Sequence, residues 1–243
     1  MRIIKVSATE STNILAREWY QLNRNTAPVC IQAYEQTSGR GQRGASWISN
    51  AGENLTFSVL YPKPKIQIKD QFILSAAIGL AILVALKELK INNLKLKWPN
   101  DIMAENLKIG GILIENILNN GSIGTAIIGV GVNVNQIAFP GLPKASSLNL
   151  VAGRTFEVAH VRDVILKNIE RIMLNFKEGK VGDILADYEG KLFRKNKIST
   201  FQMPDDSFLT GIIKGITSTG LLKIEVEDSI IRTFDLKELK LLF

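Results

Sequence analysis

Short apolar runs separated by polar segments predict a sheet near the start of the chain. The runs Ile3–Val6, Val29–Tyr34 and Asn54–Leu60 have the length and residue types of strands. Between the first two, residues from about Ser11 to Leu22 follow a helical spacing. The first sixty residues therefore predict a strand, a helix and two further strands.

One apolar segment is much longer than the others. Phe72–Leu86 contains fifteen residues without a charge, and its apolar residues lie on all sides of a helix. We interpret it as the centre of a buried core helix running from about Ile68 to Lys90. Fifteen uncharged residues fall short of the roughly 20 that span a bilayer, and no signal peptide is visible at the start. We therefore expect a cytoplasmic protein without a membrane span.

A second set of strands follows that helix. Leu94–Lys97, Lys108–Ile117 and Ile123–Asn133 have strand character, and the sequence Asn119–Gly121 predicts a hairpin turn between the last two. Helical patterns return at Val158–Lys177 and Gly182–Leu192.

The pattern changes after Leu192, where Phe193–Lys197 forms a polar link. Short strand-like runs then alternate with glycines and acidic turns: Ile198–Gln202, Phe208–Thr217, Leu221–Val226 and Ile230–Phe234. This pattern is typical of a small β-barrel of about 50 residues. We therefore predict an α+β protein with one domain over residues 1–193 and a second over residues 194–243.

Composition excludes several kinds of site. A single cysteine, Cys30, excludes an internal disulfide and a cysteine-rich zinc site, and its apolar neighbours indicate a buried strand thiol. A single histidine, His160, argues against a Ser-His-Asp triad or a histidine-based metal site. The net charge of +7 falls mostly on residues 1–193, which carry +6. This balance suits an anionic nucleotide, an acidic partner or a nucleic acid, but no consecutive basic run favours the nucleic acid.

A glycine-rich basic segment, Gly39–Gly44, follows the second predicted strand. It matches the dinucleotide pattern G-x-G-x-x-G, but no helix begins there and no acidic residue lies about 20 positions later. The dinucleotide interpretation therefore fails. The two arginines, Arg40 and Arg43, instead favour a mobile basic loop that closes over a charged intermediate.

Three further segments end or begin strands with groups that suit a ligand. Lys97–Asp101 turns sharply through Trp-Pro and brings an Asn-Asp pair to a strand end, although a plain turn would explain it equally well. Lys108–Glu115 begins with a lysine beside two glycines, and Gly129–Asn133 ends a strand with glycines and an asparagine. Fixed cations and open backbone suggest a site that activates a carboxylate with ATP.

Taken together, these motifs resemble the biotin protein ligases, also called biotin–[acetyl-CoA-carboxylase] ligases. Five segments carry the resemblance in order and spacing: Glu10–Asn13, Gln36–Gly44 with Trp47, Lys97–Asp101, Lys108–Glu115 and Gly129–Asn133. The resemblance implies a mixed-sheet catalytic domain of the class II synthetase and biotin–lipoate ligase type, flanked by helices, with an SH3-like C-terminal barrel. It also implies biotinyl-5′-AMP formation from biotin and Mg-ATP, followed by transfer to a lysine of a biotin carboxyl carrier domain of an acyl-CoA carboxylase.

The resemblance also assigns residues. It implies that Lys108, Arg40 and Arg43 are catalytic. The expected biotin-binding residues are Ser11, Thr12, Asn13, Gln36, Gly39, Arg40, Gly41, Gln42, Lys108, Gly110 and Gly111. The expected ATP and adenylate residues are Arg40, Arg43, Trp47, Asn100, Asp101, Lys108 and Asn133. We expect magnesium to arrive with ATP, near Asp101, rather than at a fixed protein site.

Two departures from the family pattern matter. Gln42 stands where some members carry a further arginine, which leaves Arg40 and Arg43 as the charges of the loop. Only ten residues precede Ser11, whereas regulatory members carry a DNA-binding domain there, so we expect a monofunctional ligase without DNA binding.

A lipoate or octanoate ligase is the nearest alternative, and a biotin-responsive nucleic-acid-binding module is a more distant one. A monomer and a homodimer both fit the sequence.

Overall fold

The structure, a computed structural model, describes residues 1–23, 27–178 and 183–243, without the side chains of Arg43, Lys177 and Glu178. Two sheets organise it, one of seven strands and one of five. Helices flank the larger sheet, and the chain is α+β, as the sequence predicts.

The larger sheet is mixed. Its strands are β1 (Arg2–Thr9), β2 (Val29–Gln36), β3 (Leu55–Pro62), β4 (Leu94–Lys97), β5 (Asp101–Ala104), β6 (Leu107–Asn119) and β7 (Ser122–Val132). They lie in the order β1-β2-β3-β7-β6-β5-β4. β1 and β2 are parallel, and every other neighbouring pair is antiparallel. The predicted hairpin turn joins β6 to β7, where Asn120 and Gly121 both have positive φ.

One helix forms much of the core beneath this sheet. The helices are α1 (Thr12–Asn23), α2 (Gln71–Glu88), α3 (Leu148–Ala152), α4 (Val158–Glu178) and α5 (Ile184–Gly190). α2 buries residues on all sides, among them Ala77, Ile78 and Leu83, and contacts both α4 and α5. By length and composition alone, Ile68–Glu88 is long and apolar enough to cross a membrane, yet half of it is buried inside the protein. The predicted core helix is thereby confirmed.

The single cysteine is buried in the core. Cys30 is fully buried in β2, and this burial raises the pKa of its thiol to about 12. The prediction of a buried strand thiol is confirmed. Because only the thiolate is a good nucleophile, this raised pKa disfavours a nucleophilic role for Cys30 at neutral pH. His160 is exposed on α4.

The smaller sheet is antiparallel, as expected for an SH3-like barrel. Its strands are β8 (Ile198–Gln202), β9 (Phe208–Ile216), β10 (Leu222–Glu225), β11 (Ile231–Phe234) and β12 (Lys240–Leu242). The link before it is fixed to both sheets, because the backbone N–H of Phe193 donates to Leu96 O and that of Asn196 donates to Ile213 O, both at 2.9 Å. The small sheet is therefore anchored beside β4.

Candidate active site

A cleft of about 370 Å³ is lined by residues of both sheets. This volume lies within the range of small-molecule sites. Three groups of lining residues carry its polar chemistry. We call them the polar end (Ser11, Thr12, Asn13 and Gln36), the charged end (Lys97, Asp101 and Lys108) and the basic loop (Arg40–Trp47).

The polar end is built where α1 begins beside the end of β2. Ser11, Thr12 and Asn13 are almost fully buried and still line the cleft. The backbone N–H of Thr12 donates to Gln36 Oε1 at 2.8 Å. A backbone N–H can only donate, so this contact fixes which way the Gln36 amide points. Among the described residues no partner is found for Gln36 Nε2, which leaves a donor for a ligand in the cleft.

The charged end is an ion-pair triad on three neighbouring strands. Asp101 Oδ1 lies 2.6 Å from Lys108 Nζ, and Asp101 Oδ2 lies 2.9 Å from Lys97 Nζ. Burial alone would raise the pKa of Asp101, but the two ammonium groups, Lys108 foremost, outweigh burial and hold this pKa below its ordinary value. Asp101 is therefore ionised at neutral pH and holds both lysines in the cleft.

The turn between β4 and β5 is held from both sides. Asn100 Nδ2 donates to Ile112 O at 2.7 Å, while the backbone N–H of Ile112 donates to Asn100 O at 3.0 Å. Trp98 Nε1 donates to Gly220 O of the small sheet at 2.8 Å. These bonds fix the direction in which the following Asp101 side chain enters the cleft.

The basic loop is closed by contacts between its own ends. Arg40 and Ser46 form an antiparallel bridge, the N–H of Trp47 donates to Gly39 O at 2.9 Å, and a 3₁₀ turn covers Gln42–Gly44. Two of its buried polar atoms, Gln42 Oε1 and Trp47 Nε1, have no hydrogen-bond partner in the described part of the chain. Unpaired buried polar atoms are costly, so a movement of the loop or a ligand that paired these two atoms would be favoured.

Trp47 lies across two glycines of the large sheet. A Cβ atom at Gly131 would come within 2.5 Å of the indole, and one at Gly111 would lie 3.6 Å from it. Lys108 Nζ is 5.7 Å from the ring centroid. The glycines thus let the indole settle beside Lys108, which closes this side of the cleft.

Comparison with known proteins agrees with this architecture. Residues 6–133 match the model of the biotin/lipoate A/B protein ligase family. The chain belongs to this family. Because the family description includes biotin and lipoate alike, membership by itself does not choose the acid that the cleft takes.

Three relatives illustrate the similarity. The bifunctional ligase/repressor BirA of Bacillus subtilis is 35% identical over 159 residues, which are 63% of this chain and 48% of that protein. The chain therefore spans about half the length of that relative. The biotin–[acetyl-CoA-carboxylase] ligase of Mycobacterium tuberculosis is 27% identical over 91% of this chain and 82% of its own. The biotin protein ligase of Aquifex aeolicus, solved in complex with biotin and ATP, superposes with a TM-score of 0.82 at 26% identity, covering 99% of this chain and 98% of its own.

Most of the residues that the ligase motifs predict converge on the cleft. The lining includes Ser11, Thr12, Asn13, Gln36, Arg40, Gly41, Gln42, Trp47, Asn100, Asp101, Lys108 and Gly111. Gly39 and Gly110 do not line it: Gly39 backs onto Trp47, and a Cβ at Gly110 would lie 2.9 Å from Gly131 O. Both glycines support the wall from behind. The side chain of Arg43 lies outside the described residues.

Asn133 occupies a different place from the other predicted nucleotide residues. It is buried, does not line the cleft, and donates from Nδ2 to Ser146 O at 2.8 Å. In this structure it holds the segment that follows β7 against β6, since its backbone N–H also bonds to Ile109 O. A nucleotide role for Asn133 stays a prediction.

The sequence did not reveal that residues of the small sheet and its turns line the cleft. Its contributions are mostly apolar: Ile213, Leu222, Leu236, Leu239, Lys240 and Leu241. Such residues look like ordinary barrel core in the sequence, and only the docking of the two sheets turns them toward the site. Trp98 is the motif residue that could have indicated this contact, because its indole N–H donates to Gly220 O in the turn between β9 and β10.

Proposed function

We propose that this protein is an ATP-dependent ligase that converts biotin to biotinyl-5′-AMP and transfers it to a lysine of a biotin carboxyl carrier domain of an acyl-CoA carboxylase. Full-length similarity to a biotin protein ligase bound to biotin and ATP supports this reaction. Similarity to a protein named as a biotin–[acetyl-CoA-carboxylase] ligase supports the acceptor.

The observation that carries the choice of biotin is the polar end of the cleft. The ring of biotin is a cyclic urea, with one carbonyl acceptor between two N–H donors. Gln36 Nε2 is a fixed donor, and the hydroxyl groups of Ser11 and Thr12 lie beside it. Lipoate and octanoate end in sulfur or hydrocarbon, so they would displace water from these polar groups without offering a matching set of hydrogen bonds, which is costly.

The charged end supplies what the first step needs. A biotin carboxylate oxygen attacks the α-phosphorus of ATP, a new O–P bond forms, and the bond to pyrophosphate breaks. Negative charge concentrates at the α-phosphate, and Lys108 neutralises it while Asp101 keeps the lysine in position. No protein nucleophile is required, because the carboxylate itself attacks.

The second step forms an amide bond. The amine of the acceptor lysine attacks the carbonyl carbon of the mixed anhydride, loses a proton, and AMP leaves with the bonding electrons. Because water would attack the same carbon, the adenylate must be shielded until the acceptor arrives. Trp47, Arg40 and Arg43 of the basic loop are the groups that we assign to this shielding and to contact with the adenylate phosphate.

Magnesium belongs to the substrate Mg-ATP in this proposal. Among the described side chains no three His, Cys, Asp or Glu residues come together as a ligand set. Both oxygens of Asp101 already accept a lysine ammonium group, so a metal bound by Asp101 would share each oxygen with a second cation. We assign Asn100 and Asp101 to the nucleotide side of the cleft.

We also propose that residues 1–193 form the catalytic domain and that residues 194–243 form an SH3-like domain. We place the enzyme in the cytoplasm.

The test is exchange of labelled pyrophosphate into ATP, driven in turn by biotin, lipoate and octanoate. Exchange with biotin alone is expected. Exchange driven only by lipoate or octanoate would transfer the chain to the lipoate side of the family. No exchange with any acid would reject adenylation altogether.

A further inference from the structure

A buried serine stands directly behind the polar end. Ser58 lies in the middle of β3, is fully buried and does not line the cleft. Its Oγ is 2.7 Å from Thr12 Oγ1 and 2.6 Å from Asn13 Oδ1. It therefore touches two of the residues that face the ligand without facing the ligand itself.

The orientation of the Asn13 amide is determined by its other partners. Asn13 Nδ2 lies 2.7 Å from Glu115 Oε2 and 3.2 Å from Leu113 O, and both of these oxygens can only accept. The nitrogen must be on that side, since an oxygen there would face two other oxygens. The atom that faces Ser58 is consequently the Asn13 oxygen.

Counting the available protons then gives the direction of the two hydroxyl groups, those of Ser58 and Thr12. Ser58 has one proton, and the Asn13 oxygen has none to give, so Ser58 donates to Asn13. At the remaining 2.7 Å contact Thr12 must donate to Ser58 Oγ. The proton of Thr12 is used, and only the lone pairs of Thr12 Oγ1 are left for the cleft.

We propose that Ser58 is a positioning residue that fixes Thr12 Oγ1 as a hydrogen-bond acceptor and so selects acids whose ring carries an N–H. The inference rests on the proposed function. With Gln36 Nε2 as a donor, the wall presents one donor and one acceptor, which complement the carbonyl and one N–H of a cyclic urea. A dithiolane ring or an alkyl chain has no proton to offer Thr12.

The experiment compares single and double variants in biotin-driven pyrophosphate exchange. Ser58→Ala removes the hydroxyl, Thr12→Val removes the acceptor, and the double variant removes both. Ser58→Cys keeps the shape with a weaker donor. Ser199→Ala is the control, because Ser199 is another buried, hydrogen-bonded serine on a strand, but it lies in the small sheet outside the cleft.

The expected signature is confined to biotin. Ser58→Ala should raise KM for biotin about tenfold, with KM for ATP and kcat changed less than about twofold. Ser58→Cys should give a smaller rise. Because Ser58 acts through Thr12, the double variant should be no worse than the poorer of the two single variants. Ser199→Ala should leave all three constants unchanged.

Each contrary result has a definite meaning. An unchanged KM for biotin in Ser58→Ala, additive losses in the double variant, or an equal rise in KM for ATP would overturn the positioning role while leaving the ligase activity intact. Absence of exchange in the unaltered protein would overturn the proposed function and the role of Ser58 together. If Ser58→Ala unfolds at the assay temperature while Ser199→Ala does not, Ser58→Cys decides by the same criteria.

Discussion

The walls of the cleft that strands hold in place differ from the wall that a loop forms. In the polar and charged ends, Thr12, Gln36, Asp101 and Lys108 are already bonded to other protein groups. In the basic loop, Gln42 Oε1 and Trp47 Nε1 are buried and without partners among the described residues. The first two walls are preorganised for a ligand, whereas the loop has polar atoms that are still unpaired among the described residues.

The difference follows from what supports each wall. Partners for the polar and charged ends come from β2, β3, β5 and β6, whose backbones are fixed by continuous ladders. The basic loop has one bridge between its ends and a single 3₁₀ turn. Groups that are fixed before the reaction stabilise developing charge without reorganising, so recognition and catalysis belong on the strands. Closure over the intermediate belongs on the loop.

The largest effect should come from the charged end. Lys108→Ala removes the cation beside the reacting groups, and we expect adenylate formation to slow by about 10²–10³-fold. Single-turnover formation of biotinyl-5′-AMP measures this rate. Lys95→Ala is the matched control, since Lys95 is an exposed lysine of β4. Equal rates in the two variants would remove Lys108 from the mechanism.

The second prediction concerns the pH dependence of the same wall. Asp101→Asn should lower the free energy of unfolding by about 1–3 kcal/mol at pH 7, because two lysines lose their partner. The folded-state pKa of Asp101 lies below the ordinary value of 3.8. Its contribution is therefore full above that value and disappears as the pH falls through the folded-state pKa.

Urea unfolding at pH 7, 5 and 3 measures this contribution. The gap between the unaltered protein and Asp101→Asn should be similar at pH 7 and 5 and smaller at pH 3. Asp228→Asn, at an exposed turn, should change the free energy of unfolding by less than about 0.5 kcal/mol. A gap that is constant down to pH 3 would show that Asp101 stabilises the fold by something other than its charge.

Sequence periodicity predicted most of the fold, because long strands and helices repeat their pattern several times. It missed β5, α3 and β12, which have four, five and three residues. Short length alone is not the reason, because β4, β10 and β11 also have four residues and were predicted. β5 was taken as part of a turn because Asp101 follows Trp-Pro, yet it pairs back directly, with Asp101 opposite Lys97.

The sequence predicted the site better where motifs are contiguous than where partners are distant. Asp101 and Lys108 lie seven positions apart in the sequence, and the resemblance assigned both to the site, whereas Lys97 received no role. Ser58 was not singled out, because a serine in an apolar strand has no local signal. Its two partners lie 45 and 46 positions away, at the start of α1.

The third prediction tests the loop. Arg43→Gln should release bound biotinyl-5′-AMP about tenfold faster, because a guanidinium is the group best suited to hold a phosphate in a closing loop. Retention of labelled adenylate during gel filtration measures the release. Arg232→Gln in the small sheet is the control, as Arg232 is exposed and outside the cleft. Unchanged retention in Arg43→Gln would leave Arg40 as the basic group of the loop.

The smallest effect should distinguish loop from strand most directly. Trp47 Nε1 is buried without a partner among the described residues, so Trp47→Phe removes no hydrogen bond from the free protein. The unfolding midpoint of this variant should fall only slightly, through lost packing of the indole on Gly131. The adenylate should bind about fivefold more weakly, since the ligand loses a donor. Thermal unfolding without and with adenylate measures both quantities. A large fall of the midpoint in the free protein, together with unchanged adenylate binding, would mean that Trp47 stabilises the fold and does not bind the ligand. The division between preorganised walls and a closing loop would then not hold at this position.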